Sequence, residues 1–86
     1  MSYQVILPKA VQKQLNQLPQ DLKQRIVAAL MRLQEDPRPV NSLQMKGSQG
    51  YRLRVGDYRV LYDIDNKEEI VTLRRVGHRR EIYRDL

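Results

Sequence analysis

The sequence predicts an α+β fold of two layers, in which a small, mainly antiparallel sheet packs on an α-helical hairpin. Three observations carry this prediction. Two adjacent segments near the N-terminus repeat apolar residues at helical spacing. The second half of the chain alternates apolar and polar residues with a period of two. Tight turns punctuate that alternation, so consecutive strands fold back on one another.

Each element follows in order. Tyr3-Gln4-Val5-Ile6-Leu7 reads as a short strand that Pro8 ends. From Pro8 to Leu18, Val11, Leu15 and Leu18 form one helical stripe, and Pro19 breaks it. A second helix runs from about Gln20 to Gln34, with Leu22, Ile26, Ala29, Leu30 and Leu33 on one face. Asp36-Pro37-Arg38-Pro39 stops it. Residues 37–50 read as a loop in which Leu43 and Met45 are the apolar anchors. Tyr51 to Val55 and Tyr58 to Tyr62 form a hairpin about Gly56-Asp57. Asp65-Asn66-Lys67 is a second turn, and Glu69 to Val76 completes a three-strand meander, ended by Gly77. No repeat or linker divides the chain, so residues 1–86 are expected to form one domain.

The hairpin is the segment richest in chemistry. In its expected register Val55 faces Tyr58, Arg54 faces Arg59 and Leu53 faces Val60. Tyr51, Leu53, Val55, Tyr58, Val60 and Tyr62 then share the core face, and Arg52, Arg54 and Arg59 share the other. A charged sheet face is by default a solvated one. Two arginines directly opposed across a ladder repel, however, and a sequence that keeps them points to an anion. If the second turn centres on Asn66-Lys67, Arg74 faces Arg59 and joins the patch. Gly77 would return the tail toward it, bringing in His78, Arg79, Arg80 and Tyr83.

The net charge of +6 points to a polyanionic partner. Eight arginines lie in residues 51–86, whereas the lysines (Lys9, Lys13, Lys23, Lys46, Lys67) are scattered. Arginine forks grip phosphate in two places. Cysteine is absent, which excludes disulfides, thiolate catalysis and zinc knuckles. No apolar run would span a bilayer, and no signal-peptide core opens the chain, so a cytoplasmic protein with no membrane partner is expected.

Such a patch suits cleavage of RNA by its own 2′-hydroxyl, in which negative charge builds on the phosphate oxygens. Arginine stays protonated and is a poor proton carrier. That leaves Tyr83 and His78 as candidates for proton transfer.

Three segments carry a family resemblance: Leu43-Gln44-Met45-Lys46-Gly47, the hairpin Tyr51 to Tyr62, and Val76-Gly77-His78-Arg79-Arg80-Glu81-Ile82-Tyr83. On these, nearly the whole chain resembles the RelE/ParE toxin superfamily of toxin–antitoxin systems. The resemblance implies a RelE-like fold and a ribosome-dependent endoribonuclease that cuts mRNA in the A site without metal or cofactor. It implies basic site residues at Arg52 and Arg54, arginines at Arg59 and Arg79, and a catalytic tyrosine at Tyr83. Lys46, Arg74, His78 and Arg80 are further candidates for RNA contact. The resemblance also implies a neutralising antitoxin, with operator DNA bound only through the antitoxin complex. The best-known RelE members carry lysines where this chain has Arg52 and Arg54; phosphate binding survives that change, and a lysine-based proton transfer does not. The alternatives are a ParE-like inhibitor of DNA gyrase and a catalytically weak member that acts through its antitoxin.

Overall fold

In the computed structural model the described residues are 2–45 and 50–82. Seven elements follow one another: β1 (Gln4–Ile6), α1 (Lys9–Asn16), α2 (Gln20–Glu35), β2 (Ser42–Gln44), β3 (Gly50–Val55), β4 (Tyr58–Asp65) and β5 (Ile70–His78). They form one five-stranded sheet in the order β1-β5-β4-β3-β2. β1 lies parallel to β5, and every other neighbouring pair is antiparallel. Both helices pack on one face of the sheet, as expected.

The prolines set the helix ends. Pro8 (φ −59°) and Pro19 (φ −55°) occupy the N-cap positions of α1 and α2. α1 stops at Asn16, two residues short of the expected Leu18, because the residue before a proline is pushed out of helical geometry. The Leu18 amide instead donates to the Leu15 carbonyl at 3.1 Å, closing the end with a tighter turn. Val11 and Leu15 of α1 and Ile26, Leu30 and Leu33 of α2 are buried. They meet Leu53, Val55, Val60, Tyr62, Val71, Leu73 and Val76 of the sheet, which completes the core.

The β3–β4 hairpin has the expected register, with Arg54 opposite Arg59 and Val55 opposite Tyr58. Gly56 takes φ +57°, a left-handed value that glycine alone adopts cheaply at the first central position of such a turn.

Two departures matter for the site. Residues 42–44 form an edge strand rather than loop, paired Ser42 to Leu53, Leu43 to Arg52 and Gln44 to Tyr51. That register turns Leu43 away from the helices toward the arginine face, where it is 56% exposed; it is not a core anchor. The second turn is longer than expected, spanning residues 66–69, with Asp65 opposite Ile70. A bulge then shifts the ladder: Tyr62 faces Leu73, Leu61 faces Arg75, and Arg74 is the extra residue. Arg59 therefore faces Gly77, and the expected pairing of Arg59 with Arg74 does not form.

Candidate functional site

The side of the sheet away from the helices carries the arginines. Along β3 and β4 the rows there are Arg52 with Leu61 and Arg54 with Arg59. The edge strand β2 and residues 40–41 rise beside β3, and the chain after β5 returns from the opposite side. Between them lies a groove of about 440 Å³ lined by Val40, Asn41, Ser42, Leu43, Arg52, Arg54, Arg59 and Arg79. Four residues proposed from sequence thus converge on one groove although they come from three separate segments.

Each wall has a physical cause. The Asn41 side-chain amide donates to the Arg54 carbonyl at 2.8 Å, and the Arg54 amide donates to the Asn41 carbonyl at 3.0 Å. This reciprocal pair fixes the backbone of Arg54 and seats the incoming loop. The Ser42 hydroxyl donates to the Pro39 carbonyl at 2.7 Å, closing the bend before β2. On the other wall, the Ile82 amide donates to the His78 carbonyl at 3.0 Å, so the chain makes a helical turn after β5. Gly77 permits that return, since a Cβ there would lie 3.2 Å from the Cδ1 of fully buried Ile82. Ile82 and Leu61 are both buried outside the main core, so each side of the sheet has apolar support.

The guanidinium groups are held to different degrees. Arg59 Nη1 donates to the carbonyls of Gly56 and Tyr58, each at 2.9 Å. The fork of Arg59 is thus folded onto the hairpin turn, which relieves part of the expected repulsion with Arg54 without any anion. The Arg79 amide donates to the Asp57 carbonyl at 2.8 Å, and its Nε lies 3.8 Å from the Asp57 carboxylate. Asp57 therefore serves the turn and also tethers Arg79 to it.

The remaining candidates separate. His78 pairs with Tyr58, a residue of the core-facing phase, and the two rings meet edge-on with centroids 5.4 Å apart. Its Nδ1 accepts the Arg80 amide at 3.1 Å. The ring belongs to the opposite side of the sheet from Arg54 and Arg59, because side chains alternate along a strand. It does not line the groove. Arg80 is exposed on the same terminal turn, also outside the lining. Arg74 is bound 3.2 Å from Asp63, toward the β4–β5 turn. Lys46 and Tyr83 lie outside the described residues.

A larger hollow of about 790 Å³ lies toward the β4–β5 turn, with Arg38, Tyr51, Asp63, Asp65, Asn66 and Arg74 among its lining residues. Its cations are already satisfied by the protein. Arg38 donates to the Tyr51 hydroxyl at 3.0 Å and to Asn66 Oδ1 at 2.8 Å, and it stacks over the Tyr51 ring. The bond that Arg38 donates to Tyr51 raises the guanidinium's proton affinity further. Two carboxylates share the hollow, so an anion is better received in the smaller groove. Among the described residues, no group of three or more His, Asp or Glu side chains is placed to hold a metal ion.

Asn41 and Arg38 were not singled out from sequence. Both act through long-range contacts, and the one local signal is that they follow the helix-stopping prolines.

Comparison with known proteins agrees with this architecture. Residues 5–83 match a family model described as the ParE toxin of type II toxin–antitoxin system, parDE. The chain is 33% identical over 90 residues to toxin RelG of Mycobacterium tuberculosis, covering 98% of this chain and 99% of that protein. Its fold matches the archaeal RelE–RelB complex of Pyrococcus horikoshii with a TM-score of 0.84 at 29% identity, over 94% of this chain and 99% of that one. The isolated E. coli RelE toxin shares the fold with a TM-score of 0.79 at 20% identity, over 98% of this chain and 94% of that one.

Proposed function

This chain belongs to the RelE/ParE superfamily of toxins of type II toxin–antitoxin systems, and we propose that it is a RelE-type endoribonuclease that cuts mRNA in the ribosomal A site. The observation that carries this reading is the convergence of Arg52, Arg54, Arg59 and Arg79 on one groove.

In this reading the scissile phosphate sits among the four guanidinium groups. The 2′-hydroxyl attacks the adjacent phosphorus, the bond to the 5′-oxygen breaks, and a 2′,3′-cyclic phosphate and a 5′-hydroxyl remain. Charge gathers on the non-bridging oxygens as the phosphorus becomes five-coordinate. Donors fixed in advance serve that state best, and Arg59 meets this condition, since two turn carbonyls hold its fork. Tyr83 takes the proton-transfer role or orients the nucleotide. With His78 directed to Tyr58, Tyr83 is the stronger of the two candidates. Metal-independence follows from the family resemblance, and the partner that silences the toxin is a cognate antitoxin of the RelB kind.

The ParE description of the matching family supports a second reading, inhibition of DNA gyrase. Expression of the chain, with mapping of mRNA 5′ ends and of gyrase-dependent DNA breaks, separates the two. Cuts inside translated codons support the nuclease, double-strand breaks support the gyrase inhibitor, and neither supports a weak member that acts through its antitoxin. On the nuclease reading, Arg59→Ala and Tyr83→Phe each lower cleavage by about tenfold or more. Full activity in both variants would overturn the site assignment.

A further inference from the structure

A second groove of about 330 Å³ adjoins the first, lined by Arg25, Ala28, Ala29 and Arg32 of α2 and by Asn41, Arg54, Val55 and Gly56. Asn41 and Arg54 line both grooves, so the two adjoin at these residues. Arg25 and Arg32 stand two helical turns apart on one face, and the alanines between them keep the channel open. Arg25 is placed by the turn itself: its Nη2 lies 3.1 Å from where a Cβ on Gly56 would sit. Among the described residues, none of Arg25, Arg32 and Arg54 forms a salt bridge.

Arg25 and Arg32 border this channel beside Arg54, none of them with a carboxylate partner among the described residues, and an anion entering it relieves their mutual repulsion. The channel begins at Arg54, which also borders the proposed scissile-phosphate groove. A chain with regularly spaced phosphates meets both conditions, and the shallow alanine wall offers no deep apolar socket for a protein side chain. We propose that Arg25, Arg32 and Arg54 form a second phosphate-binding groove, which holds the backbone of RNA beyond the nucleotide seated among Arg52, Arg54, Arg59 and Arg79. This rests on the RNA reading of the first groove. The backbone comes either from the message or from ribosomal RNA.

The test uses the purified full chain and a labelled single-stranded RNA of about 12 nucleotides, with affinity measured by anisotropy across a salt series. Arg25→Gln with Arg32→Gln should weaken binding about fivefold or more and reduce the salt slope by about 1.4, the release expected for two phosphates on a single strand. Lys9→Gln with Lys13→Gln removes the same charge from α1 and should change affinity less than about twofold. Arg25→Lys with Arg32→Lys should restore the slope, which a folding defect would not allow. Equal losses in the α1 and α2 double variants would overturn the second groove, because general attraction would then suffice. Arg52→Gln with Arg59→Gln separates the two readings: if it leaves RNA affinity unchanged, the first groove itself fails. Binding to empty and to message-programmed ribosomes then assigns the source. Loss on both identifies ribosomal RNA, and loss on programmed ribosomes alone identifies the message. Unchanged binding to RNA and to both ribosomes, with weaker antitoxin binding, would overturn the proposal in favour of a protein contact.

Discussion

The two hollows at opposite ends of the β3–β4–β5 sheet are both bordered by arginines, but those arginines are held in different ways. Toward the β4–β5 turn, Arg74 is paired with Asp63, and Arg38 is bonded to Tyr51 and Asn66. Toward the β3–β4 hairpin, Arg54 is without a salt bridge among the described residues, and Arg59 is braced by carbonyls that leave its charge uncompensated. The larger hollow is therefore the less suited to an anion, and the proposed phosphate site is the smaller one. Neither volume nor the number of cations marks a phosphate site. What marks it is guanidinium held in place by groups that do not neutralise it.

Cleavage separates the two ends of the sheet most strongly. Arg59→Ala should reduce mRNA cleavage in a translation extract about tenfold or more, while Arg74→Ala changes it less than about twofold. Equal losses would mean that total charge, not placement, drives activity.

The partition between the hollows depends on residues 37–41, and one buried bond anchors their start. The Tyr62 hydroxyl donates to the Pro37 carbonyl at 2.7 Å, with Tyr62 fully buried. From there Arg38 reaches one hollow, and Val40 and Asn41 line the other. Tyr62→Phe leaves that carbonyl unsatisfied and should cost about 1–3 kcal/mol in urea unfolding. Burial pushes the Tyr62 phenol above its ordinary range. Its neutral form is thus favoured in the fold, and its contribution is present below about pH 10 and lost as pH rises through the raised value. The Phe variant should lack that part of the alkaline slope.

Much of the hairpin end was legible in sequence, because its register follows from a period of two and a Gly-Asp turn. Arg52, Arg54 and Arg59 fell where alternation put them. What alternation cannot show is a bulge, and the single extra residue at Arg74 moved it out of the patch and set Arg59 against Gly77 instead. The same alternation, carried through the true register, places His78 with Tyr58. β2 is not legible in sequence because three residues carry too little pattern, and its pairing reverses the expected role of Leu43. The positions of Arg25, Arg32 and Arg38 are not legible in sequence for another reason. On α2 or beside the prolines they read as solvated charge, and only the tertiary fold brings Arg25 against Gly56.

Gly56 tests how tightly the hairpin end is built. Gly56→Ala places a Cβ at a left-handed φ and 3.1 Å from Arg25 Nη2. The strain should lower stability by about 1–2 kcal/mol, read as a shift in the urea midpoint. An unchanged midpoint would show that the turn relaxes freely and does not hold Arg25 or Arg59.

The smallest effect concerns the Asp57 carboxylate at the hairpin end. Asp57 reaches Arg79 with its side chain at 3.8 Å, across a pair that is more than half exposed on both sides, and holds the same residue by its backbone carbonyl at 2.8 Å. An exposed pair at that distance contributes little to stability, so Asp57→Asn should leave the urea midpoint within about 0.5 kcal/mol. Its effect on binding has the opposite sign to that of losing an arginine. The carbonyl still positions Arg79, while the carboxylate no longer competes with phosphate for the guanidinium, so RNA affinity should rise about twofold at low salt and converge with the unaltered chain at high salt. A fall in affinity would mean that the Asp57 side chain, not the backbone, places Arg79, and that this arginine depends on a neutralising partner like those at the other end of the sheet.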